Sequence, residues 1–125
     1  MTRYTPHHIT ELAPDEVFVF GSNAAGHHGG GAAHVAWQKF GAVWGEGHGL
    51  HGRSYAIDTM SGMAAFADAA AIFTLFAEQH PELTFLLTPV GCGIAGYTVE
   101  EVAPLFASVP ENVVIPVAFA KVLEE

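Results

Sequence analysis

The sequence predicts a three-layer α/β domain built on a central mixed, mostly parallel sheet. Three observations predict it. Short apolar runs bounded by turn residues alternate with segments of helical period, the pattern of strand–helix–strand units. Val17-Phe18-Val19-Phe20 is apolar at every position, as a strand covered on both faces must be. Two glycine-rich loops, residues 21–31 and 91–97, each join a strand-like run to a helix-like run.

The elements follow in order. Residues 17–20 form the first strand. Residues 32–40 read as a helix ended by Gly41, with Ala33, Ala36, Trp37 and Phe40 on its buried face. Residues 44–52, crowded with glycine and tryptophan, read as irregular. Residues 53–59 form a strand. Residues 63–80 carry the longest helical signal, with Phe66, Ala70, Phe73 and Phe76 at helical spacing and Pro81 as the stop. Residues 83–88 form the next strand. Thr98 and Glu101 make a capping-box pattern before Val102, Leu105 and Phe106, and Pro104 kinks or shortens that helix. Residues 112–117 form the last strand and 119–125 a short terminal helix. No repeat, low-complexity linker or composition shift divides the chain, so residues 1–125 read as one domain. In open α/β sheets, ligands bind at the carboxyl ends of strands, and both glycine loops leave strands at that end.

Composition narrows the function classes. Four Lys/Arg against thirteen Asp/Glu argue against a nucleic-acid or anionic-membrane partner, since both need basic clusters. No apolar run is long enough to span a membrane, and the first residues lack the layout of a signal peptide. Cys92 is the single cysteine, so no intrachain disulfide forms and the expected location is cytoplasmic. Arg3, Lys39, Arg53 and Lys121 all lie outside the glycine loops. A phosphate held there would rest on backbone N–H groups and helix N-termini.

In the first loop, Gly29, Gly30 and Gly31 exceed what a turn needs and suit a loop wrapped around a ligand. Asn23 either orients a ligand hydroxyl or water or closes an Asx turn. His27, His28 and His34 raise the question of a metal. Adjacent histidines rarely converge and Cys92 is a lone thiol, so no metal site is predicted. The histidines remain readable as ligand contacts, acid/base groups or solvated loop residues. The second loop, Gly91-Cys92-Gly93-Ile94-Ala95-Gly96-Tyr97, lacks the Lys-Ser/Thr of a P-loop, and neither loop fits the Rossmann fingerprint. Cys92 has no base placed beside it and reads as a small packing residue rather than a nucleophile. Tyr97 either covers a sugar or base or packs at the helix entry. Glu46 with His48 or His51, and Asp58 at a strand end, are further acid/base candidates; for Asp58 the alternative is a structural hydrogen bond.

Together these residues resemble a small macro domain, the ADP-ribose-binding α/β/α module, nearly end to end. Ile9-Thr10-Glu11-Leu12, the strand at residues 17–20 and Asn23 resemble the family's opening strand and asparagine-bearing loop. Gly29-Gly30-Gly31-Ala32-Ala33 resembles its glycine run, and Gly49-Leu50 with residues 53–59 its glycine–leucine segment and following strand. Pro89-Val90-Gly91-Cys92-Gly93-Ile94-Ala95-Gly96-Tyr97 resembles its second phosphate loop, and Glu100-Glu101-Val102-Ala103 the helix after it. The resemblance implies an ADP-ribose-like small molecule or an ADP-ribosylated target. The second loop would hold the pyrophosphate. Asn23 and the first loop would face the distal ribose, with Tyr97 near that sugar.

The chain departs from the family in three ways. His8 stands where the family usually carries the aspartate that reads the adenine amine, so adenine selectivity does not carry over. Ala32 and Ala33 occupy the place of the hydrolase branch's acid. The chain is also short for the family, which leaves the cleft more open or completed by a partner chain. The expected function is binding of ADP-ribose or a related nucleotide, without a cofactor. One alternative is hydrolysis of ADP-ribosyl or ADP-ribose-phosphate linkages, with Asn23 and His27 or His28 positioning water. Another is an interaction module with a degenerate cleft, using Trp44 and the acidic surface. Oligomeric state is open.

Overall fold

The computed structural model describes residues 3–124. Its element order is β1 (Glu16–Ser22), α1 (Gly31–Lys39), β2 (Gly49–His51), β3 (Ser54–Asp58), α2 (Met63–Gln79), β4 (Thr84–Leu87), α3 (Val99–Val102), a 3-10 turn (Ala103–Phe106), β5 (Val113–Val114) and α4 (Val117–Leu123). The fold is α/β, with one five-stranded mixed sheet in the order β2-β3-β1-β4-β5. The pairs β1–β3, β1–β4 and β4–β5 are parallel, and β2–β3 is an antiparallel hairpin. No described helix is long and apolar enough to cross a membrane.

β1 occupies the middle of the sheet because both its faces are apolar. Val17 and Val19 join a core with Tyr55, Ile57, Phe85 and Leu87, closed by Phe66, Ala70, Phe73 and Ala77 of α2 and by Phe106 and Phe119. Phe18 and Phe20 join a second core with Ala56, closed by Ala33, Ala36 and Phe40 at α1. The chain crosses from β1 to β3 through α1, then back past β1 to β4 through α2. α2 contributes to the first core and α1 to the second. Asn112 ties the far side together: its Nδ2 donates to the Ala77, His80 and Leu83 carbonyls, each at 3.0 Å, at the end of α2 and the approach to β4.

Several expectations need correction. Trp37 is not on the buried face of α1; it is 39 % exposed and leans on Trp44, ring centroids 4.9 Å apart. The small Ala33 and Ala36 bring the helix too close to the sheet for an indole to fit beneath it. The glycine-rich middle stretch is not wholly irregular: residues 49–51 form β2, an edge strand held by backbone pairing to β3 and so invisible to hydrophobic patterning. The last strand covers two residues rather than six, because Pro116 has no N–H for the ladder and instead stands as N-cap of α4. That helix therefore starts at Val117, and Glu125 lies outside the described residues. The Thr98–Glu101 capping box is present, with Thr98 N–H donating to Glu101 Oε1 at 2.9 Å and Glu101 N–H to Thr98 Oγ1 at 3.2 Å. Its α-helix ends after one turn, where Pro104 begins the tighter 3-10 turn.

Candidate functional site

The loops after β1 and β4 leave neighbouring parallel strands at their carboxyl ends and enclose a cavity of about 280 Å3. Their roots nearly touch: a Cβ on Gly21 would stand 3.6 Å from the Gly91 amide nitrogen. Their tips oppose each other as well, since a Cβ on Gly30 would meet Ile94 Cδ1 at 4.0 Å.

The first loop is shaped by Asn23. Its Oδ1 accepts from the His27 N–H at 2.9 Å and its Nδ2 donates to the His27 carbonyl at 3.0 Å, so the side-chain amide clamps the loop shut. Gly26 donates to the Asn23 carbonyl and accepts from the Gly45 N–H, both at 2.9 Å, which pins residues 43–47 behind the loop. The two adjacent histidines part company. His28 is fully buried: Nε2 faces the Val43 carbonyl at 2.9 Å and Nδ1 the Ser22 hydroxyl at 3.2 Å. A carbonyl only accepts, so Nε2 carries a proton and donates to Val43. His28 is therefore a brace beneath the loop and not a cleft residue, which corrects its place among the candidates. His27 lines the cavity, with its ring stacked on Trp44 at 5.2 Å and 14°.

The second loop divides its backbone between self-support and the cleft. Cys92, Gly96 and Tyr97 donate to the Pro89, Gly93 and Gly91 carbonyls at 3.2, 3.0 and 2.9 Å. Among the described residues, the N–H groups of Gly93, Ile94 and Ala95 donate to no protein acceptor, and all three residues line the cavity. Consecutive backbone N–H groups without a protein acceptor are available to hydrogen-bond an anion. Opposite them lies the start of α1, where Gly30 is the N-cap without a side-chain cap and the first turn holds no acid. The helix after the second loop differs: its capping box engages the Thr98 and Glu101 N–H groups, and its first turn carries the acids Glu100 and Glu101.

The structure thus brings Asn23, His27, Gly30, Gly31, Gly91, Gly93, Ile94 and Ala95 together around one cavity. His28, Gly29, Cys92, Gly96 and Tyr97 do not line it. Tyr97 packs on Phe66, ring centroids 5.8 Å apart, behind Gly91. Cys92 is half-buried; burial, with Glu100 and Glu101 adding, raises its pKa and keeps the thiol protonated. Asp58 accepts from the Met60 N–H at 3.0 Å and the Ser61 hydroxyl at 2.5 Å, a structural turn. Glu46, His48 and His51 also lie outside the cavity lining. Among the described residues no three His, Cys, Asp or Glu side chains converge as a metal ion requires.

Sequence reading missed Thr59 and Thr88, which line the same cavity. Each stands just past a strand flanking β1 and donates its hydroxyl to a β1 carbonyl: Thr59 to Ser22 at 3.2 Å, Thr88 to Val19 at 2.8 Å. The strand-end rule that located the loops would have found both. A second cavity, of about 440 Å3, shares Ala32, Thr88 and Pro89 with the first and runs on toward His8 and Lys39. Although the chain has thirteen Asp/Glu, none among the described residues lines either cavity.

Two outcomes test this geometry. Gly91 has φ +79°, and a Cβ there would meet the Phe66 ring at 2.5 Å, whereas a Cβ at Gly93 would meet nothing within 4 Å. Gly91→Ala is therefore expected to lower the urea midpoint by the equivalent of about 2 kcal/mol or more, and Gly93→Ala to leave it within about 0.5 kcal/mol of wild type. For Cys92, a raised pKa means thiolate forms only at higher pH. Iodoacetamide labelling is expected to rise with a midpoint above the free-cysteine value of about 8.5, and Glu100→Gln to move it down.

No protein-family model matches the chain, and neither do any curated protein or solved structure.

Proposed function

We propose that the chain is a macro-like three-layer α/β/α domain that binds ADP-ribose or a related nucleotide in the cleft between its two glycine-rich loops. The observation that carries this reading is the row of free amides at Gly93, Ile94 and Ala95 opposite the uncapped start of α1, in a cavity no carboxylate lines. A diphosphate accepts hydrogen bonds from both sides of such a cleft without any basic side chain. Asn23 acts by holding the first loop's shape, and His27 stands at the sugar side as a flat wall backed by Trp44. A cavity of about 280 Å3 suits the ribose-diphosphate part of the ligand, leaving the nucleoside to the adjoining cavity.

Isothermal titration is expected to show saturable binding of ADP-ribose, with AMP and NAD for comparison. Gly30 has an extended backbone, φ −155° and ψ 165°, that any residue adopts. Gly30→Leu is thus expected to fold normally, press on Ile94 across the cleft and weaken ADP-ribose binding at least about tenfold. Absence of heat at millimolar ADP-ribose overturns the reading.

One observation favours hydrolysis of an ADP-ribosyl linkage as a second reading: His27 is the one Asp, Glu, His, Cys, Lys or Tyr residue lining the first cavity among the described residues. It requires turnover of ADP-ribosylated protein that falls at least about a hundredfold in His27→Ala while ADP-ribose binding persists. Equal inertness of wild type and variant rejects it.

A further inference from the structure

The second cavity carries a charge signature of its own. Much of its lining is apolar, including buried Phe18 and Pro116, half-buried Ile9 and Val35, and exposed Val117. Its mouth holds His7, His8 and Lys39 and no carboxylate. Ala32, Val35 and Lys39 fall at helical spacing along one stripe of α1, so this cavity is the continuation of the first along the helix. Lys39 stands seven residues beyond Ala32, roughly 10 Å along the axis.

Lys39 differs from the arginines. Arg3 is spent on Glu16 at 2.7 Å, and Arg53 donates to the Ala13 carbonyl. Among the described residues Lys39 makes no salt bridge, although the chain carries a net charge of −9. In a protein so acidic, a pocket mouth with one unneutralised ammonium, two imidazoles and no acid is complementary to an anion. An apolar lining beneath that mouth suits a purine or pyrimidine ring. The distance from the free amides of the first cavity separates this anion from the diphosphate already assigned there.

We infer that the cleft takes a nucleotide whose nucleoside ribose bears an additional phosphate monoester, held at the mouth of the second cavity by Lys39 with His7 and His8. The inference rests on the nucleotide-binding reading and adds to it a class of ligand. The base lies against Phe18 and Val35. The extra phosphate projects outward to the Lys39 ammonium, which contributes as a point charge and so attracts the phosphate without demanding one geometry.

The test is a titration of the full chain with ADP-ribose and with ADP-ribose 2′-phosphate, repeated on Lys39→Gln and at raised ionic strength. Adenosine 3′,5′-bisphosphate against AMP serves the other ribose hydroxyl. At low salt at least one phosphorylated probe is expected to bind about tenfold more tightly than its unphosphorylated counterpart. Lys39→Gln is expected to bring that ratio near one, and added salt to reduce it. Equal or weaker binding of both phosphorylated probes, with ADP-ribose binding intact, overturns this inference and leaves the proposed function standing. A preference that survives in Lys39→Gln overturns the assignment to Lys39. No binding of any probe overturns both.

Discussion

Everything about the site depends on where β1 sits. A strand apolar on both faces is stable only where both faces are covered, and β1 is covered by one core built on Val17 and Val19 and another on Phe18 and Phe20. Parallel neighbours on each side then follow, with α1 packed on the second core and α2 on the first. Because β3, β1 and β4 all point the same way, their carboxyl ends meet along one edge. Thr59, Ser22 and Thr88 mark those three ends and are joined by hydrogen bonds back to β1. The cleft is therefore a consequence of strand polarity, and the glycines determine how closely its walls approach.

α1 turns that cleft into something more extended. Its faces do different work: Ala33 and Ala36, with Phe40 beyond them, pack on the sheet; Ala32 and Val35 border that core and, with Lys39, line the second cavity; Trp37 contacts His34 and Trp44. Its N-terminus closes the first cavity. Alanine on the sheet face lets the helix sit close enough for one short element to border both cavities. Trp37 of α1 leans on Trp44, which in turn stacks on His27, so the first loop is backed from outside by Trp44 and from beneath by His28.

The parts legible in the sequence were those set by local chemistry. Four consecutive apolar residues marked β1, Pro81 marked the end of α2, and Thr98 with Glu101 marked a cap that the structure contains. What escaped was set by partners distant in the chain. β2 exists because β3 offers it a ladder, and Gly49-Leu50-His51 shows no pattern of its own. His27 and His28 look alike in sequence, yet Ser22 and the Val43 carbonyl draw one ring fully inward. The second loop was recognisable as a glycine loop, but which of its amides serve the loop and which remain free follows from acceptors at Pro89, Gly91 and Gly93 that only the folded backbone presents.

The charge distribution supplies the last step. Thirteen acids on a chain this small make a carboxylate near any given surface cavity the default, and a phosphate ligand would be repelled by it. Both cavities avoid acids, and the segments that line them explain how. The lining residues are mostly glycine, alanine, threonine, proline and apolar ones, and the acid at this edge, Asp58 at the end of β3, is engaged by the Met60 N–H and the Ser61 hydroxyl and lines neither cavity. Backbone amides are thus left as the main polar donors in the first cavity and Lys39 as the free cation of the second. Neutral donors border one cavity and a cation the next, so added salt would screen the second more directly than the first. The two cavities thus differ in the polar groups they present, even though they share the walls of Ala32, Thr88 and Pro89.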